Sequence, residues 1–163
     1  MTDIVSEINA EWAKQRPDLD VKPMEVMGRI LVLSKLLETT ANETLKPYNL
    51  MFTELHVLAN LRRMGKPYQL SPKQLIKYVQ ITSGSMTACL DKLEKKELIH
   101  RVIDPEDKRG RLVGLSKKGF KVIDAAIEDW FSSVKNITKG LSTSEHKSLA
   151  KLLNHLICSQ ASE

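Results

Sequence analysis

Apolar residues recur at every third or fourth position through most of this chain, a spacing typical of α-helices that bury one face. The first predicted helix should end before Arg16-Pro17, because the residue that precedes a proline avoids the helical region. A second should run from Pro23 to about Pro47, and a third from a Thr53 cap to Arg63. This part of the chain therefore predicts a helical scaffold.

A compact pair of helices is predicted next. The segment Ser71-Pro72-Lys73-Gln74 combines a capping serine, an initial proline and a capping-box glutamine, so a helix should run from Pro72 to about Val79. A second helix should begin with Ser83 as its cap and continue to about Lys96. Its inward side is predicted to carry Met86, Leu90 and Leu93, and its outward side Ser85, Thr87, Ala88, Lys92 and Lys95. So short a link between the two helices indicates a helix-turn-helix.

A two-stranded hairpin is predicted after these helices. Branched residues in Leu98–Ile103 favour a strand, Asp104–Gly110 has the composition of a turn, and Arg111–Leu115 forms a second strand. Such a hairpin is the wing of a winged helix-turn-helix. Its tip carries Lys108, Arg109 and Arg111, which could reach DNA phosphates or a narrow minor groove.

Two helices should close the chain. Ser116 is predicted to cap a long helix to Lys139, and Ser142 with Glu145 forms a capping box for the last helix. The last helix has a broad apolar face formed by Leu149, Leu152, Leu153, Leu156 and Ile157. Such a face is either core or a dimer seam, and its position outside the winged module favours the seam.

The net charge of +5 lies entirely within Leu70–Phe120, where eleven basic residues face six acidic ones, while the flanking segments are balanced. A focused basic face beside a helix-turn-helix is typical of proteins that bind duplex DNA. The candidate DNA contacts are Ser71, Lys73, Ser83, Ser85, Thr87, Ala88, Lys92, Lys108, Arg109 and Arg111. Because none of the residues at the start of the predicted recognition helix can make a bidentate base contact, hydroxyl and methyl contacts and DNA shape should carry much of the sequence readout.

Other classes of protein find little support in the composition. Two distant cysteines fit a reducing compartment, and the start of the chain does not read as a signal peptide, so we expect a cytoplasmic protein without a membrane partner. The four histidines lack metal-ligand spacing, and no phosphate-binding glycine loop or nucleophile motif is present. We therefore expect no cofactor, no metal and no enzymatic activity.

A family resemblance rests on a series of short motifs. They are Leu75-Ile76, Ser83-Gly84-Ser85-Met86-Thr87, Leu90 to Lys96, Leu98-Ile99-His100-Arg101, Asp104 to Gly110 and Leu115-Ser116-Lys117-Lys118-Gly119. With these motifs the chain closely resembles the MarR family of bacterial transcription regulators. The resemblance implies a mainly α fold over 1–163, with a winged helix-turn-helix at 53–116 and dimerisation helices at 1–48 and 117–163. It also implies a homodimer that binds a palindromic operator and is released by a small anionic or phenolic effector. The chain departs from the family pattern at Gln80 and Glu97, which stand where glycine is common in the family.

The segment from Trp12 to Met24 is similar to the PecS-like branch, whose members include urate-responsive repressors. That resemblance implies an effector site with a first-helix tryptophan, an acid on the third helix, a recognition-helix arginine and a wing arginine. Trp12 and Arg101 match the tryptophan and the wing arginine of this pattern. His56 stands in place of the acid, and Cys89 stands in place of the recognition-helix arginine. Loss of one guanidinium should lower the affinity for urate by at least about tenfold. A flat aromatic anion fits the remaining groups better.

Two alternatives remain open at this point. Cys89 could be a small buried hydrophobe or, because its helix is rich in lysine, a redox switch with a lowered thiol pKa. The winged helix could also bind protein or RNA rather than duplex DNA, since fold alone does not fix function. A cluster of Lys108, Arg109 and Arg111 at the hairpin tip favours DNA over a protein partner.

Overall fold

The computed structural model describes residues 3–105 and 110–160. The chain divides into two compact units, Met1–Phe52 and Thr53–Glu163. Within the described residues, no helix is both long enough and apolar enough to span a bilayer. The predicted mainly helical fold is confirmed, with one small antiparallel sheet.

The first unit is a helical hairpin of α1 (Ile4–Gln15) and α2 (Lys22–Leu45), followed by a 3₁₀ turn (Lys46–Tyr48). Helix α1 ends directly before Arg16, as predicted. Asp3 caps α1, and Arg29 of α2 donates a hydrogen bond to its carboxylate at 2.7 Å. The two helices approach closely at Gly28, where an added Cβ would lie 2.7 Å from Val5 Cγ1. This approach requires a glycine on α2.

The second unit contains the predicted winged helix-turn-helix. Its elements, with the boundary residue Phe52, are α3 (Phe52–Arg63), β1 (Gln69–Leu70), α4 (Pro72–Val79), α5 (Ser83–Lys95), β2 (Ile99–Ile103), β3 (Arg111–Leu115), α6 (Lys117–Thr138) and α7 (Thr143–Gln160). The hairpin of β2 and β3 is antiparallel, and its register pairs Ile99 with Leu115 and Ile103 with Arg111. Strand β1 adds to the other edge of β3 and was not predicted, because two residues are too short to show an alternating pattern.

The core of this unit is built from α3, α4, α5, α6 and the sheet. Its most deeply buried apolar side chains are Leu55, Leu58, Leu61, Leu75, Met86, Leu93, Val113 and Ile123. In contrast, every residue of α7 is exposed. The leucine-rich face of the last helix is therefore left open in a single copy of the chain.

The predicted caps can be compared with the observed ones. Ser71 and Gln74 form the predicted capping box on α4, and Ser116 Oγ accepts a hydrogen bond from Gly119 N at 2.9 Å at the start of α6. A second capping box lies at the start of α7. Ser142 N donates to the Glu145 carboxylate, and Glu145 N donates to Ser142 Oγ. These three predictions are confirmed.

Two predicted caps are wrong. Thr53 lies within α3, which begins one residue earlier at Phe52. Ser83 is the first helical residue of α5, and Thr82 is the cap, because its backbone is extended and its Oγ1 accepts from Ser85 N at 3.2 Å. Adjacent hydroxyl residues make such a shift by one position hard to foresee from sequence.

Of the four described non-glycine residues with left-handed backbone, two end the helices of the helix-turn-helix. Gln80 ends α4 with φ of 57°, and Glu97 follows α5 with φ of 60°. After α5, Glu97 N donates to Glu94 O at 2.8 Å and Leu98 N to Leu93 O at 3.0 Å, the bonding pattern of a Schellman motif. The chain therefore keeps the geometry expected of glycine at some cost in backbone strain.

Gly119 is predicted to be required for stability. A Cβ at this position would lie 1.9 Å from Leu98 O, so Gly119→Ala should lower the free energy of unfolding by about 1 to 3 kcal/mol in urea denaturation. Gly84→Ala is the matched control, because a Cβ there meets nothing within 4 Å and alanine is the better helix former, so it should leave stability unchanged or raise it by up to about 1 kcal/mol. Equal effects of the two substitutions would contradict this reading of the contact.

Candidate nucleic-acid interface

The helix-turn-helix consists of α4 and α5 joined by the turn at Gln80. Met86, Leu90 and Leu93 lie on the buried side of α5, which anchors the helix on the core. The opposite side is exposed from Ser83 to Lys95. We call α5 the recognition helix, because it presents a polar face next to a buried one on the second helix of the motif.

The start of the recognition helix offers hydroxyl and methyl groups. Thr87 Oγ1 donates to Ser83 O at 3.0 Å, which uses its proton and leaves its methyl group and acceptor lone pairs outward. Ser85 Oγ accepts from Thr82 Oγ1 at 2.9 Å and keeps its own proton to donate. Ala88 is exposed on the same side. These groups suit single hydrogen bonds to base edges and contact with thymine methyl groups.

Exposed cationic groups lie on α4, on α5 itself and on β3. Lys73 of α4 and Lys92 of α5 are exposed, and Arg111 at the start of β3 donates to Gly110 O at 3.1 Å. Ser71 is half-buried, and its hydroxyl oxygen already accepts a hydrogen bond from Gln74 N in the cap of α4. A DNA contact of this hydroxyl would therefore have to form in addition to the cap. Lys108 and Arg109 lie outside the described residues. Of the predicted cluster at the wing tip, the structure therefore places Arg111 alone.

Arg101 joins the wing to the recognition helix. This residue of β2 forms an ion pair with Asp91, and its Nε lies 3.2 Å from Glu94 Oε2. Both acids lie on α5, one turn apart. The sequence predicted Arg101 as an effector ligand, but its observed partners are carboxylates of the DNA-reading helix.

A buried ion pair was missed by the sequence analysis. Glu54 of α3 is 2% exposed, and both of its carboxylate oxygens accept from Lys96 Nζ, at 2.8 and 2.7 Å. Lys96 is the residue that follows α5 and caps it. The sequence shows an acid, Glu54, beside the buried apolar residues of α3. Its partner Lys96 lies too far along the chain for the pairing to be inferred from spacing.

His56 lines an apolar groove between α3 and α6. The groove has a volume of about 360 Å³, and Trp130, Phe131 and Arg63 also line it. Burial lowers the pKa of His56, which favours the neutral imidazole. Cys89 and Arg101 do not line this groove, and Trp12 belongs to the first unit, where it is 52% exposed. Of the four candidate effector residues, His56 lines the groove and the other three do not.

Cys89 has the character of a buried hydrophobe. Its residue surface is 7% exposed, and burial together with the charge of Glu54 raises the pKa of its thiol to about 11, against the opposing effects of Lys92 and Lys96. A redox switch requires an accessible thiol with a lowered pKa. The premise of the redox alternative is therefore wrong.

The winged module and its surroundings match known proteins. The model of the MarR family matches residues 51–110. The HTH-type transcriptional regulator PecS of Dickeya dadantii strain 3937 is 33% identical over 93% of this chain and 92% of its own length. The chain belongs to the MarR family.

Solved structures agree with this membership. Wild-type MarR of E. coli in its apo form is 26% identical, with a TM-score of 0.67 over 80% of this chain and 96% of that one. The MepR–DNA complex of S. aureus is 22% identical and shares the fold, with a TM-score of 0.76 over 82% of this chain and 97% of that one. The predictions of a winged-helix, DNA-binding transcription regulator that is not an enzyme are confirmed by the family.

The burial of Cys89 predicts slow thiol chemistry. At pH 8 its thiolate fraction should be about a hundredfold below that of an ordinary cysteine, so a chromogenic disulfide should label it slowly. Cys158 is exposed and should react first. A Cys158→Ser variant isolates the Cys89 signal, and urea should restore its rate. Rapid labelling of this variant without denaturant would contradict the buried assignment.

Proposed function

We propose that this MarR-family regulator acts as a homodimeric repressor on a palindromic duplex operator. The carrying observation is the two-sided recognition helix, with Met86, Leu90 and Leu93 buried and the face from Ser83 to Lys95 exposed. In this proposal Ser83, Ser85, Thr87 and Ala88 meet base edges in the major groove. Lys73, Lys92 and Arg111 contact phosphates, which position the protein without reading sequence.

The dimer is supported by apolar surface that a single chain leaves open. On α7, Leu152 is 64% and Ile157 is 69% exposed, and both belong to the face predicted from the sequence. Contiguous apolar surface of this kind typically marks an interaction site. A symmetric dimer would place two recognition helices about 34 to 36 Å apart, one helical turn of DNA.

Operator binding is tested by selecting bound fragments and titrating the best one by fluorescence anisotropy. We expect an inverted repeat, a dimer mass in solution, and a log affinity that falls with log salt by about 0.9 per phosphate neutralised. Lys92→Ala should flatten this slope by about 1, and Arg109→Ala should do the same if the sequence prediction for the wing tip is right. Equal affinity for random duplex and the selected site, or a monomer on DNA, would contradict the proposal.

We further propose that a small aromatic anion releases the operator. The groove beside His56 supports this, because Trp130 and Phe131 offer ring faces and Arg63 a cation. A neutral imidazole can accept a hydrogen bond from a phenol. The roles of Trp12, Cys89 and Arg101 in effector binding stay predictions from sequence. An effector lowers DNA affinity only by its different affinities for the two protein conformations.

The effector proposal predicts selective loss on changing His56. Salicylate should raise the melting temperature and release DNA from the native chain, and His56→Ala should weaken both effects at least about tenfold because a packed polar contact is lost. His100→Ala is the matched control, since His100 is exposed on β2 and does not line the groove. Urate should bind poorly. Tight urate binding, or an unchanged response in His56→Ala, would show that the groove is not the effector site.

A further inference from the structure

The recognition helix is held on the core mainly by apolar contacts. Met86, Leu90 and Leu93 are at most 4% exposed, and contacts of this kind are strong but not directional. A directional contact is needed to fix the angle at which the exposed face meets DNA.

The contact between Glu54 and Lys96 has that direction. The Lys96 ammonium donates to both carboxylate oxygens of Glu54, at 2.8 and 2.7 Å. Glu54 lies in the first turn of α3 and Lys96 at the end of α5, so each charge also has the favourable sign for its own helix terminus. Because Glu54 is 2% exposed, the Lys96 ammonium is drawn toward the core, and the ion pair joins the start of α3 to the end of α5.

We propose that Glu54 and Lys96 are positioning residues that set the orientation of the recognition helix and so determine how well the protein distinguishes operator from other DNA. This inference rests on the proposed DNA-binding function. Neither residue needs to touch DNA, because Glu54 is buried and the Lys96 side chain is 27% exposed with its ammonium on Glu54. Their effect is transmitted through the helix.

The length of α5 makes this end of the helix sensitive. Ser85 lies eleven residues before Lys96, which is about 17 Å along the axis. A tilt of the helix axis by about 10°, pivoting at the Lys96 end, would shift Ser85 by about 3 Å, a whole hydrogen-bond length. Contacts with base edges would be lost by such a shift, whereas contacts of flexible lysines with phosphates would persist. The pair should therefore govern discrimination more than overall affinity.

The test compares affinity for the selected operator with affinity for a scrambled duplex of equal length. Glu54→Gln and Lys96→Met should each reduce the ratio of these affinities at least tenfold, while binding to the scrambled duplex changes less than threefold. Lys95→Met is the matched control, since Lys95 is an exposed neighbour. It should weaken both duplexes alike and leave the ratio unchanged.

Rescue separates positioning from general stability. Lys96→Arg keeps the charge pair and should retain the ratio to within threefold. The double variant Glu54→Gln/Lys96→Met should keep the loss of the single variants, because it has no unpaired buried charge but still lacks the directional contact. If the single variants unfold, Glu54→Asp, which withdraws the carboxylate by one methylene group, should lower the ratio in a folded chain. An unchanged ratio in folded single variants, or an equal loss in Lys95→Met, would overturn the inference. Failure of the native chain to prefer any duplex would instead refute the proposed function.

Discussion

The DNA-reading surface on α5 depends on how the end of that helix at Lys96 is attached to the core. At the end of α5, Lys96 reaches the buried carboxylate of Glu54 on α3, while Lys96 O accepts from Lys118 Nζ of α6 at 2.9 Å. Two residues later, Leu98 O accepts from Ser116 N at 3.0 Å. Elements that are distant in sequence therefore meet at the same turn. In the proposal made above, the contacts at this turn set the angle of the recognition helix in the conformation that binds DNA.

The wing is tied to the same helix by a second set of charges. Arg101 of β2 bridges Asp91 and Glu94 on α5, so the hairpin and the recognition helix should move together. These pairs are partly exposed, and salt would screen them more than the buried pair. The basic excess of the chain thus has two functions. Some cations, such as Lys73 and Lys92, are exposed and are the proposed phosphate contacts, whereas Lys96 and Arg101 pair with the protein's own acids.

Local signals in the sequence predicted local structure well. Serine caps at 71, 116 and 142 were predicted because the residues that complete each cap lie within three positions. Gln80 and Glu97, which the family resemblance marked as standing where glycine is common, both have positive φ. Contacts between residues that are distant in the sequence could not be predicted in this way. The pair of Glu54 and Lys96 spans 42 positions, and Arg101 was assigned to a ligand before its partners on α5 were known. Spacing along a chain carries no information about which side chains meet across a core.

The central claim, that the exposed face of α5 reads the operator, is tested most directly by site-specific photocrosslinking. A photoreactive side chain would be placed at position 85 on the recognition helix and, as a control, at the exposed position 139 at the end of α6. The account predicts crosslinks from position 85 to bases at two symmetric places in the inverted repeat, and none from position 139. Crosslinks from position 139 alone, or crosslinks from position 85 spread over all sequences equally, would contradict it.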